Sequence, residues 1–563
     1  MHPLLSQETG QKRLLLGNEA IVRGALEAGV AVAAAYPGTP SSEIANNLYQ
    51  LAQEEAAGLY FEFSTNEKVA MEVAAAASAA GVRSLTCMKH VGMNVAADVL
   101  MTLAYVGCRG GMVIVTADDP SMHSSQNEQD NRWYARLSCL PMLEPTSPQE
   151  AKEMTIYAFQ LSERLELPVM VRTTTRTSHV RAAVELGPLP GEKARKGRFR
   201  RDPRRWVPVP AVARVRHRVL LEAEARAREE ADRSRWNPVS GDGPVGIVAS
   251  GAAACHVEDA LEELGCRDRV RYLRLGFGHP RPKGLFRRFL QGLERVLVVE
   301  ELEPFQEEAL KATAQEMGLT IPILGKGSGH LSRLYEFQPS EVRRVVAEVV
   351  GVEAPAPELP DLSAIPPLPM RPPTLCKGCP HRETYRVVKE ALEELGEEEN
   401  AIYPTDIGCY TLGLLPPIQM ADYLLCMGSS VGSSAGFSVA TDHRIVSFIG
   451  DSTFFHSGIS PLVNGVHNRH RFCLVIMDNS TTAMTGHQPN PGISLRPPGY
   501  EDHPRVSILD VVKGCGVENV VVINPYRRDE ARERVKEVLQ ADGGPSVVIS
   551  EAPCILYMKR VKR

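Results

Sequence analysis

The sequence predicts an α/β protein with three doubly wound parallel-sheet domains. Short apolar runs that end in glycine or polar residues alternate with helical stretches along most of the 563 residues. This alternation is typical of parallel sheets covered by helices. An Arg-rich stretch and a Pro-rich stretch interrupt it. Because the chain is far longer than one hydrophobic core requires, we expect several domains joined by these two linkers.

The first domain is predicted over residues 12–181. The Ala-rich stretch 67–81 contains no proline and is expected to form a buried helix. The apolar runs around it predict parallel strands that end in polar or glycine-containing turns. These strands are expected at 32–38, 84–90, 111–119 and 168–175.

The rest of the chain follows the same alternation. Residues 182–243 are Arg-rich, but because acidic residues are interleaved with the arginines, we interpret them as a solvated linker and not as a nucleic-acid surface. A second αβ domain, resembling the C-terminal domain of transketolase, is predicted over 244–351. A Pro-rich, extended linker is expected over 352–373. The third domain is predicted over 374–563.

Composition excludes several classes of function. The chain has 63 Lys and Arg against 68 Asp and Glu, a formal charge of -5, so no basic field favours nucleic acid or an anionic membrane. It has no apolar run of about eighteen residues and no signal-peptide order at its N-terminus, so a cytoplasmic location is expected. In a reducing compartment, the 12 cysteines point to metal or redox chemistry and not to disulfides.

A candidate site for a metal and a diphosphate lies in the third domain. The predicted strand 444–450 leads into Asp451, and the next strand leads into Asn479. The carboxyl ends of neighbouring parallel strands share one edge of a sheet, so these side chains are expected to meet. Gly450 would let the backbone approach an anion at the following helix N-terminus. One carboxylate, one amide oxygen and a backbone carbonyl after Asn479 would suit Mg²⁺.

This pattern resembles that of the thiamine diphosphate enzymes, whose fingerprint is GDG followed at about this distance by NN. The present chain has GDS and DN, so it departs from the fingerprint at Ser452 and Asp478. The resemblance implies that Asp451, Asn479 and the carbonyl of Thr481 hold Mg²⁺. It also implies that the GDS turn, including Ser452, binds the cofactor.

Four cysteines form a second candidate site in the same domain. Cys376 and Cys379 stand in a C-x-x-C motif, Cys409 follows, and Cys554 lies almost at the end of the sequence. Four thiolates can enclose an iron–sulfur cluster or a zinc ion. His381 leaves a Cys–His zinc site open as well. The other cysteines show no such spacing and are expected to be small buried apolar residues.

Taken together, the C-x-x-C motif, the third cysteine, the thiamine motif and the last cysteine have the order found in 2-oxoacid:ferredoxin oxidoreductases. Local motifs from about residue 12 to 556 resemble the large subunits of indolepyruvate:ferredoxin oxidoreductases within that superfamily. They are YPGTPSSE (36–43), STNEKVAMEVAAAAS (64–78), MKHVGMNVAAD (88–98), DDPSMHSSQNEQDNR (118–132), CKGCPHR (376–382), GDSTFFHSGI (450–459) and DNSTTAMTGHQPNPG (478–492).

This resemblance implies oxidative decarboxylation of aryl 2-oxoacids to acyl-CoA, with electrons passing through a 4Fe-4S cluster to ferredoxin. Thiamine diphosphate and Mg²⁺ would be the cofactors, and coenzyme A the cosubstrate. The cluster ligands would be Cys376, Cys379, Cys409 and Cys554. The three domains would then be a pyrimidine-binding thiamine diphosphate domain, the transketolase-like domain and a diphosphate-binding domain.

The resemblance also implies roles for single residues. Glu67 matches the glutamate that hydrogen-bonds the cofactor's aminopyrimidine, and Thr39 matches the threonine near the substrate carbonyl. By themselves they would be an ordinary first-turn glutamate and a helix N-cap. Gly428 would let the cofactor approach the backbone, or would serve close helix packing. The candidates for a group that binds the substrate carboxylate are Lys89, His90, His123, His456 and His487.

The family pattern also predicts partners. A small (beta) subunit, a ferredoxin or ferredoxin-like subunit, and a dimer of heterodimers are expected; a nucleic acid or a membrane is not. The C-terminal ferredoxin module with two C-x-x-C-x-x-C-x-x-x-C-P runs, usual in such large subunits, does not occur in these 563 residues. Two alternatives stay open: a non-oxidative thiamine diphosphate-dependent decarboxylase with structural zinc, and a catalytically silent scaffold subunit.

Overall fold

The computed structural model describes residues 2–191, 196–354, 365–369, 371–494, 497–541 and 543–561. The chain divides into two compact units, Met1–Pro360 and Asp361–Arg563. The described residues form three largely parallel sheets, two in the first unit and one in the second. The predicted α/β fold class is therefore confirmed. None of the helices in the described ranges combines the length and the apolarity that crossing a membrane requires.

The first sheet occupies the start of the first unit. Its strands are β2 Val32–Ala35, β3 Tyr60–Phe63, β4 Ser84–Lys89, β5 Met112–Asp118, β6 Met142–Leu143 and β7 Val169–Thr174. Strands β1 Lys12–Leu16 and β8 Arg181–Glu185 form a separate antiparallel pair. The accompanying helices are α1 Gly17–Glu27, α2 Ser42–Ala52, α3 Glu67–Ala79, α4 His90–Val106, α5 Arg132–Ser138, α6 Pro148–Leu165 and α7 Thr175–His179.

The strand order of this parallel sheet is β3-β2-β4-β5-β7-β6. Strands β5 and β7 are buried along their whole length, which explains why they read as continuous apolar runs. The Ala-rich helix α3 buries only one face, although the sequence suggested a buried helix. The chain passes from β2 to one neighbour, β3, and then crosses to the other neighbour, β4. Such a switch point opens a crevice at the carboxyl ends of the two strands.

The segment 182–243 is more than a solvated linker. It contains the helices α8 Pro203–Trp206 and α9 Pro210–Asp232. Helix α9 has one buried stripe of small and apolar residues that joins the hydrophobic core of the first sheet: Leu220, Ala223, Ala227 and Ala231. Residues 192–195 lie outside the described residues. The arginine content of this segment hid an amphipathic helix that covers the first sheet.

The second sheet lies in the same unit and has the order β13-β12-β10-β11-β9, with β9 antiparallel at one edge. Its strands are β9 Val239–Ser240, β10 Val245–Ala249, β11 Val270–Arg274, β12 Arg295–Val299 and β13 Ile323–Leu324. Its helices are α10 Ala252–Glu263, α11 Lys283–Leu290, α12 Phe305–Glu316 and α13 Pro339–Val350. Of the predicted Pro-rich linker, 355–364 and 370 lie outside the described residues.

A buried ion-pair network connects the first and second sheets within this unit. Arg132 donates to Asp130 and, at 2.6 Å, to Glu300, which follows β12. Arg172 on β7 donates to Asp118 and Glu144, both at 2.8 Å. Buried charges are tolerated when they are paired in this way. The network therefore fixes the carboxyl end of β5 against the second sheet.

The third sheet, in the second unit, is parallel throughout and has the order β14-β15-β16-β18-β17. Its strands are β14 Ala401–Ile402, β15 Arg444–Gly450, β16 Cys473–Asp478, β17 Asn519–Ile523 and β18 Ser546–Glu551. Its helices are α14 Pro380–Leu395, α15 Ser429–Ala440, α16 Asp451–Thr453, α17 Ile459–His467, α18 Ile508–Gly514, α19 Arg528–Leu539 and α20 Ile555–Val561.

Two kinds of irregular helix complete the description. A π-helical turn, Phe454–Gly458, joins α16 to α17. Such turns are frequent at functional sites. Short 3₁₀ turns occur at Pro3–Leu5, Glu55–Ala57, Pro120–Met122, Arg267–Arg269, Glu398–Asn400 and Cys409–Leu414.

Candidate functional site

The carboxyl edge of the first sheet gathers polar residues at its switch point. Thr39 follows β2, and Lys89 is the last residue of β4, which pairs with β2. The turn after β2 passes close to the end of β4: a Cβ atom placed at Gly38 would lie only 2.9 Å from Lys89 Cβ. Glycine at position 38 therefore allows the chain after β2 to pass directly over Lys89.

Thr39 is half-buried, and its hydroxyl lies 3.2 Å from the Ser42 hydroxyl. Its carbonyl accepts a hydrogen bond from Ser124 Oγ at 3.3 Å. The residue that precedes α2 is Ser41, so Thr39 is not the helix N-cap that the sequence alone suggested. Its side chain lies instead at the crevice between the two strands.

Glu67 is buried at the first position of α3. Asn66 caps this helix, with its side chain accepting a hydrogen bond from Val69 N at 2.9 Å. The Glu67 side chain packs on the first turn of α4, since a Cβ atom at Gly92 would lie 2.6 Å from Glu67 Oε1. Because Lys89 immediately precedes α4, Glu67 lies at the same edge of the sheet as Lys89.

Asp119 follows β5 at this edge, and its carboxylate is well supplied with hydrogen-bond donors. It accepts from Ser124 N at 2.9 Å, from Ser125 Oγ at 2.5 Å and from Thr175 Oγ1 at 2.6 Å. Burial raises the pKa of Asp119, but these hydrogen bonds outweigh it and bring the pKa below its usual value. Asp119 is therefore an ionised carboxylate whose oxygens are already occupied.

Lys89 itself donates to the Ser124 carbonyl. Burial lowers the pKa of Lys89 to about 8, although the charge of Asp119 opposes this shift. Of the histidines proposed with it, His90 is fully buried and His123 lies 3.3 Å from Glu336. In the second unit, His456 is buried in the π-helical turn, and His487 stacks on Tyr557.

At the carboxyl edge of the third sheet, Asp451 and Asp478 form an acidic pair. Gly450 pairs in register with Met477. Asp451 directly follows Gly450, and Asp478 directly follows Met477, so the two aspartates are neighbours. Both are 2% exposed, and a side-chain hydrogen bond joins them. Burial, and then the charge of Asp478, holds the pKa of Asp451 well above its usual range.

Few other groups compensate the acidic pair. Asp451 accepts hydrogen bonds from Ser452 N at 2.9 Å and from Asn490 Nδ2 at 3.0 Å. Arg505 approaches Asp478 to 3.6 Å and is partly exposed. Asn490 was not among the residues singled out in the sequence, although it lies in the motif 478–492, because its contact with Asp451 forms only when the loop folds back.

The structure differs from the expected contact between Asp451 and Asn479. The side chain next to Asp451 is that of Asp478, while Asn479 Nδ2 donates to His381 Nε2 at 2.9 Å. Asn479 Oδ1 accepts from Thr481 N at 3.1 Å, and Thr481 is buried. Asp478 is the position where the chain departs from the NN fingerprint, so that departure was the available signal for a second carboxylate.

Gly428 and Gly450 are both places of close approach. Gly428 has a φ of +84° before α15, and a Cβ atom there would lie 2.5 Å from Ser457 Cβ in the π-helical turn. A Cβ atom at Gly450 would lie 2.6 Å from the ring of Tyr410. Both glycines therefore allow close packing, which was one of the two alternatives for Gly428.

Asp406 is a buried residue that sequence reasoning missed. Its carboxylate accepts hydrogen bonds from the backbone N–H and the hydroxyl of Ser430, in the first turn of α15. Burial raises the pKa of Asp406 to about 7. This carboxylate thus accepts a hydrogen bond from a backbone N–H at the start of α15.

The four predicted cluster cysteines line one cavity of about 100 Å³. Cys376 and Cys379 precede α14, Cys409 begins a 3₁₀ turn, and Cys554 precedes α20. Burial, and then the charges of the three other cysteines, raise the pKa of the Cys409 thiol to about 12. Within the described ranges, no three His, Cys, Asp or Glu side chains converge closely enough to hold one metal ion.

The cysteine cavity and the acidic pair are neighbours. Asn479 directly follows the acidic Asp478, and it also lines the cysteine cavity. Its carbonyl accepts a hydrogen bond from Cys554 N at 2.9 Å. Tyr410, next to Cys409, donates to Thr453 Oγ1 in the turn after Asp451 at 3.1 Å. Two short paths therefore connect the thiols to the carboxylates.

The residues at these two places fit the groups that the sequence implied. Asp451 and Asp478 offer hard oxygen donors, and two buried carboxyl groups in contact need a shared proton or a cation. A divalent cation such as Mg²⁺ would supply that compensation. The four thiols are soft donors around a space larger than one ion needs, as an iron–sulfur cluster requires.

Two protein families match this chain. Residues 23–229 match the family described as "Pyruvate flavodoxin/ferredoxin oxidoreductase, thiamine diP-bdg". Residues 406–550 match "Thiamine pyrophosphate enzyme, C-terminal TPP binding domain". The first match contains the edge with Thr39, Glu67 and Lys89, and the second contains the acidic pair.

Relatives match over nearly the whole chain. "Indolepyruvate oxidoreductase subunit IorA" of Methanothermobacter thermautotrophicus is 53% identical over 100% of this chain and 90% of the relative. The chain belongs to the family of these IorA subunits. The protein of the same name from Thermococcus kodakarensis is 46% identical (98% of this chain, 87% of the relative), and that of Archaeoglobus fulgidus is 45% identical (100% and 90%).

Membership of the IorA family confirms the resemblance found in the sequence. The chain is a subunit of a thiamine diphosphate-dependent oxidoreductase of the 2-oxoacid:ferredoxin class. The two matched thiamine diphosphate-binding families fall on the first and third sheets. The domain boundaries and the roles of single residues stay predictions, since family membership by itself assigns neither.

Proposed function

We propose that this chain is the large subunit of an enzyme that converts aryl 2-oxoacids, of the indolepyruvate or phenylpyruvate type, to acyl-CoA. Electrons would leave through a 4Fe-4S cluster to ferredoxin. One observation carries the proposal: Asn479 borders both the acidic pair and the cavity of the four cysteines. A redox centre next to a cofactor site is what an oxidative, in contrast to a non-oxidative, decarboxylation needs.

In this proposal, Asp451, Asn479 and the carbonyl of Thr481 hold Mg²⁺, and Asp478 contributes the second carboxylate of the site. Gly428, Gly450 and Ser452 bring backbone and hydroxyl groups close to the diphosphate. Thiamine diphosphate, when bound, supplies the carbon nucleophile that attacks the 2-oxoacid carbonyl. The contribution of the chain is to hold the metal and to keep the site buried.

The carboxyl edge of the first sheet is proposed to hold the aminopyrimidine and the substrate. Glu67, buried against Gly92, would exchange a proton with a ring nitrogen of the cofactor. Thr39, at the switch point, would donate a hydrogen bond to the substrate carbonyl. The domains proposed are 12–181 for the pyrimidine, 244–351 as the transketolase-like domain and 374–563 for the diphosphate.

Cys376, Cys379, Cys409 and Cys554 are proposed to hold the 4Fe-4S cluster. Zinc in a structural site lies about 2.3 Å from each of its sulfur ligands, which draws the thiols close together. The wider arrangement around a cavity of about 100 Å³ supports a cluster over a single zinc ion. Coenzyme A as cosubstrate, a small (beta) subunit, ferredoxin and a dimer of heterodimers complete the proposal.

Anaerobic assay of the purified chain with its small subunit tests this function. We expect phenylpyruvate and indolepyruvate to reduce ferredoxin only when coenzyme A and thiamine diphosphate are present, with acyl-CoA as product. Metal analysis should give about four iron atoms per chain, with sulfide. Aldehyde product together with zinc would instead identify a non-oxidative decarboxylase. A chain that binds no thiamine diphosphate would be a scaffold.

The variant Cys409→Ser tests the cluster site itself. We expect its iron content to fall from about four atoms per chain to near zero, because the cluster loses one of four ligands. Thiamine diphosphate binding should persist. Cys515→Ser is the matched control, since Cys515 lies outside the cavity in the same unit. Full iron content in Cys409→Ser would contradict the ligand assignment.

A further inference from the structure

Lys89 is a cation without a carboxylate partner. It ends β4 at the switch point of the first sheet, and its ammonium group donates to the carbonyl of Ser124. Among the residues that the structure describes, no carboxylate oxygen lies within 4.0 Å of Lys89 Nζ. The side chain is half-buried, so water compensates its charge only in part.

Two carboxylates near this edge, those of Asp119 and Glu43, are bound elsewhere. Asp119 uses its oxygens to accept from Ser124, Ser125 and Thr175. Glu43 lies 3.4 Å from His179 and accepts from Asn18 at 2.7 Å. An anion that reached Lys89 would therefore meet a cation still available for pairing.

The neighbouring arginines are not available in the same way. Arg132 and Arg172 are fully buried and paired with acidic residues of the network that connects the first two sheets. Unlike these two arginines, Lys89 can exchange its partner. Exchange would cost little, since it replaces a neutral carbonyl with a charged acceptor.

Lys89 also lies where a small acid would bind. Ser124 connects the two residues of interest: its carbonyl accepts from Lys89, and its hydroxyl donates to the carbonyl of Thr39. A 2-oxoacid carries its carboxylate on the carbon next to its carbonyl. The Lys89 ammonium and the Thr39 hydroxyl flank the same crevice. The first can therefore bind the carboxylate of such an acid while the second binds its carbonyl.

We propose that Lys89 binds the carboxylate of the 2-oxoacid substrate at the switch point of the first sheet. This inference rests on the proposed function and specifies its substrate site. The ammonium exchanges the Ser124 carbonyl for the substrate carboxylate, and Lys89 thereby positions the substrate beside Thr39. The lowered pKa of Lys89, about 8, is consistent with a site from which solvent is partly excluded.

Steady-state kinetics of the chain with its small subunit test the proposal. For Lys89→Gln we expect the KM for phenylpyruvate to rise about 10- to 100-fold, because a charge-assisted hydrogen bond is lost. The value of kcat should change much less. Lys89→Arg should recover part of the affinity. Lys68→Gln is the matched control, since Lys68 is exposed on α3 and paired with Glu72. A KM within twofold of the wild-type value in Lys89→Gln would overturn the proposal.

Chemical labelling of the wild-type chain gives a second test that needs neither turnover nor a variant. At pH 8, acetic anhydride should label Lys89, because burial lowers the pKa of this amine to about 8 against the opposing charge of Asp119. Phenylpyruvate should protect it, whereas methyl phenylpyruvate, which lacks the charge, should not. Equal labelling with and without phenylpyruvate would overturn the proposal. If the wild-type enzyme showed no 2-oxoacid-dependent activity but protection occurred, the proposed function would fail and the anion site would stand.

Discussion

The carboxyl edges of the first and third sheets have the same architecture but opposite electrostatic needs. At the first edge, the carboxylate of Asp119 accepts several hydrogen bonds, and no carboxylate in the described part of the chain pairs with the ammonium of Lys89. At the third edge, Asp451 and Asp478 touch each other, next to a cavity lined by four thiols. The Lys89 ammonium of the first edge could therefore pair with an anion, and the two carboxyl groups of the third edge could pair with a cation.

Hydrogen-bond donors explain the difference between the two kinds of aspartate. Asp119 and Asp451 both lose hydration, which alone raises the pKa of a carboxyl group. Backbone and hydroxyl donors reverse this for Asp119, and the pKa falls below its usual value. Asp451 faces a second carboxylate, and its pKa rises. The groups that surround each aspartate, and not burial alone, thus decide the direction of the shift.

The largest effect is expected at the first edge, from Glu67→Gln. The amide can still hydrogen-bond but cannot exchange a proton, so we expect catalytic turnover to fall by about 10²- to 10⁴-fold. Exchange of the C2 proton of bound thiamine diphosphate for deuterium should slow in parallel. Glu72→Gln, on the exposed face of the same helix, is the control and should leave both rates unchanged. Normal exchange in Glu67→Gln would remove Glu67 from the proposed role.

A smaller loss is expected at the third edge, from Asp451→Asn. Activity should fall by about 10²- to 10³-fold, because one charged group of the metal site is lost. The metal-free protein should unfold at a higher temperature than the wild type, because the two buried carboxyl groups no longer compete for one proton. Asp442→Asn, exposed in the same unit, should change neither quantity. An Asp451→Asn protein that is less stable without metal would argue against the acidic pair as a cation site.

The strands and their polar ends could be predicted from the sequence because these features are local. Strand β15 and the turn at Asp451 follow from an apolar run that ends in glycine and a charged residue. The cysteine positions also needed only spacing and the resemblance. The contact of Asp451 with Asp478 could not be predicted in the same way, because the fingerprint directs attention to Asn479. Which of two adjacent side chains faces a strand's neighbour depends on register, which a single sequence does not fix.

Features that depend on distant segments were missed altogether. Arg132 and Glu300 are 168 residues apart and meet only because two sheets of the first unit pack together. Helix α9 was interpreted as part of a solvated linker because acidic residues and arginines are interleaved in it, while its buried stripe consists mostly of alanine. The π-helical turn after Asp451 has no known sequence signal in this chain. Long-range charge pairing and weakly apolar helix faces are thus the limits of sequence reasoning here.

The smallest expected effect concerns how pH acts on the two units. Glu301, in the first unit, has its pKa raised from an ordinary value near 4.5 to about 7 by burial, against the opposing charge of Lys326. Between these values the folded chain keeps a proton that the unfolded chain has released. The free energy of unfolding therefore falls as pH rises from about 4.5 to about 7, by at most about 1.4 kcal/mol per pH unit for this group. The acidic pair gives the second unit a slope of the same sign.

Mg²⁺ should distinguish the pH dependence of the two units. If it binds the ionised acidic pair of the folded second unit, as proposed, it should reduce the pH dependence there and leave that of the first unit unchanged. Hydrogen exchange of peptides from β12 and from β15, compared at pH 5, 6 and 7 with Mg²⁺ or with a chelator, measures each unit separately. Glu301→Gln should reduce the slope of the first unit only, and not abolish it, because burial also raises the pKa values of Glu300 and Asp118 to about 7. If Mg²⁺ changed the pH dependence of both units equally, it would be acting on charge in general and not on the pair formed by Asp451 and Asp478. The proposed contrast between the first and third edges would then fail.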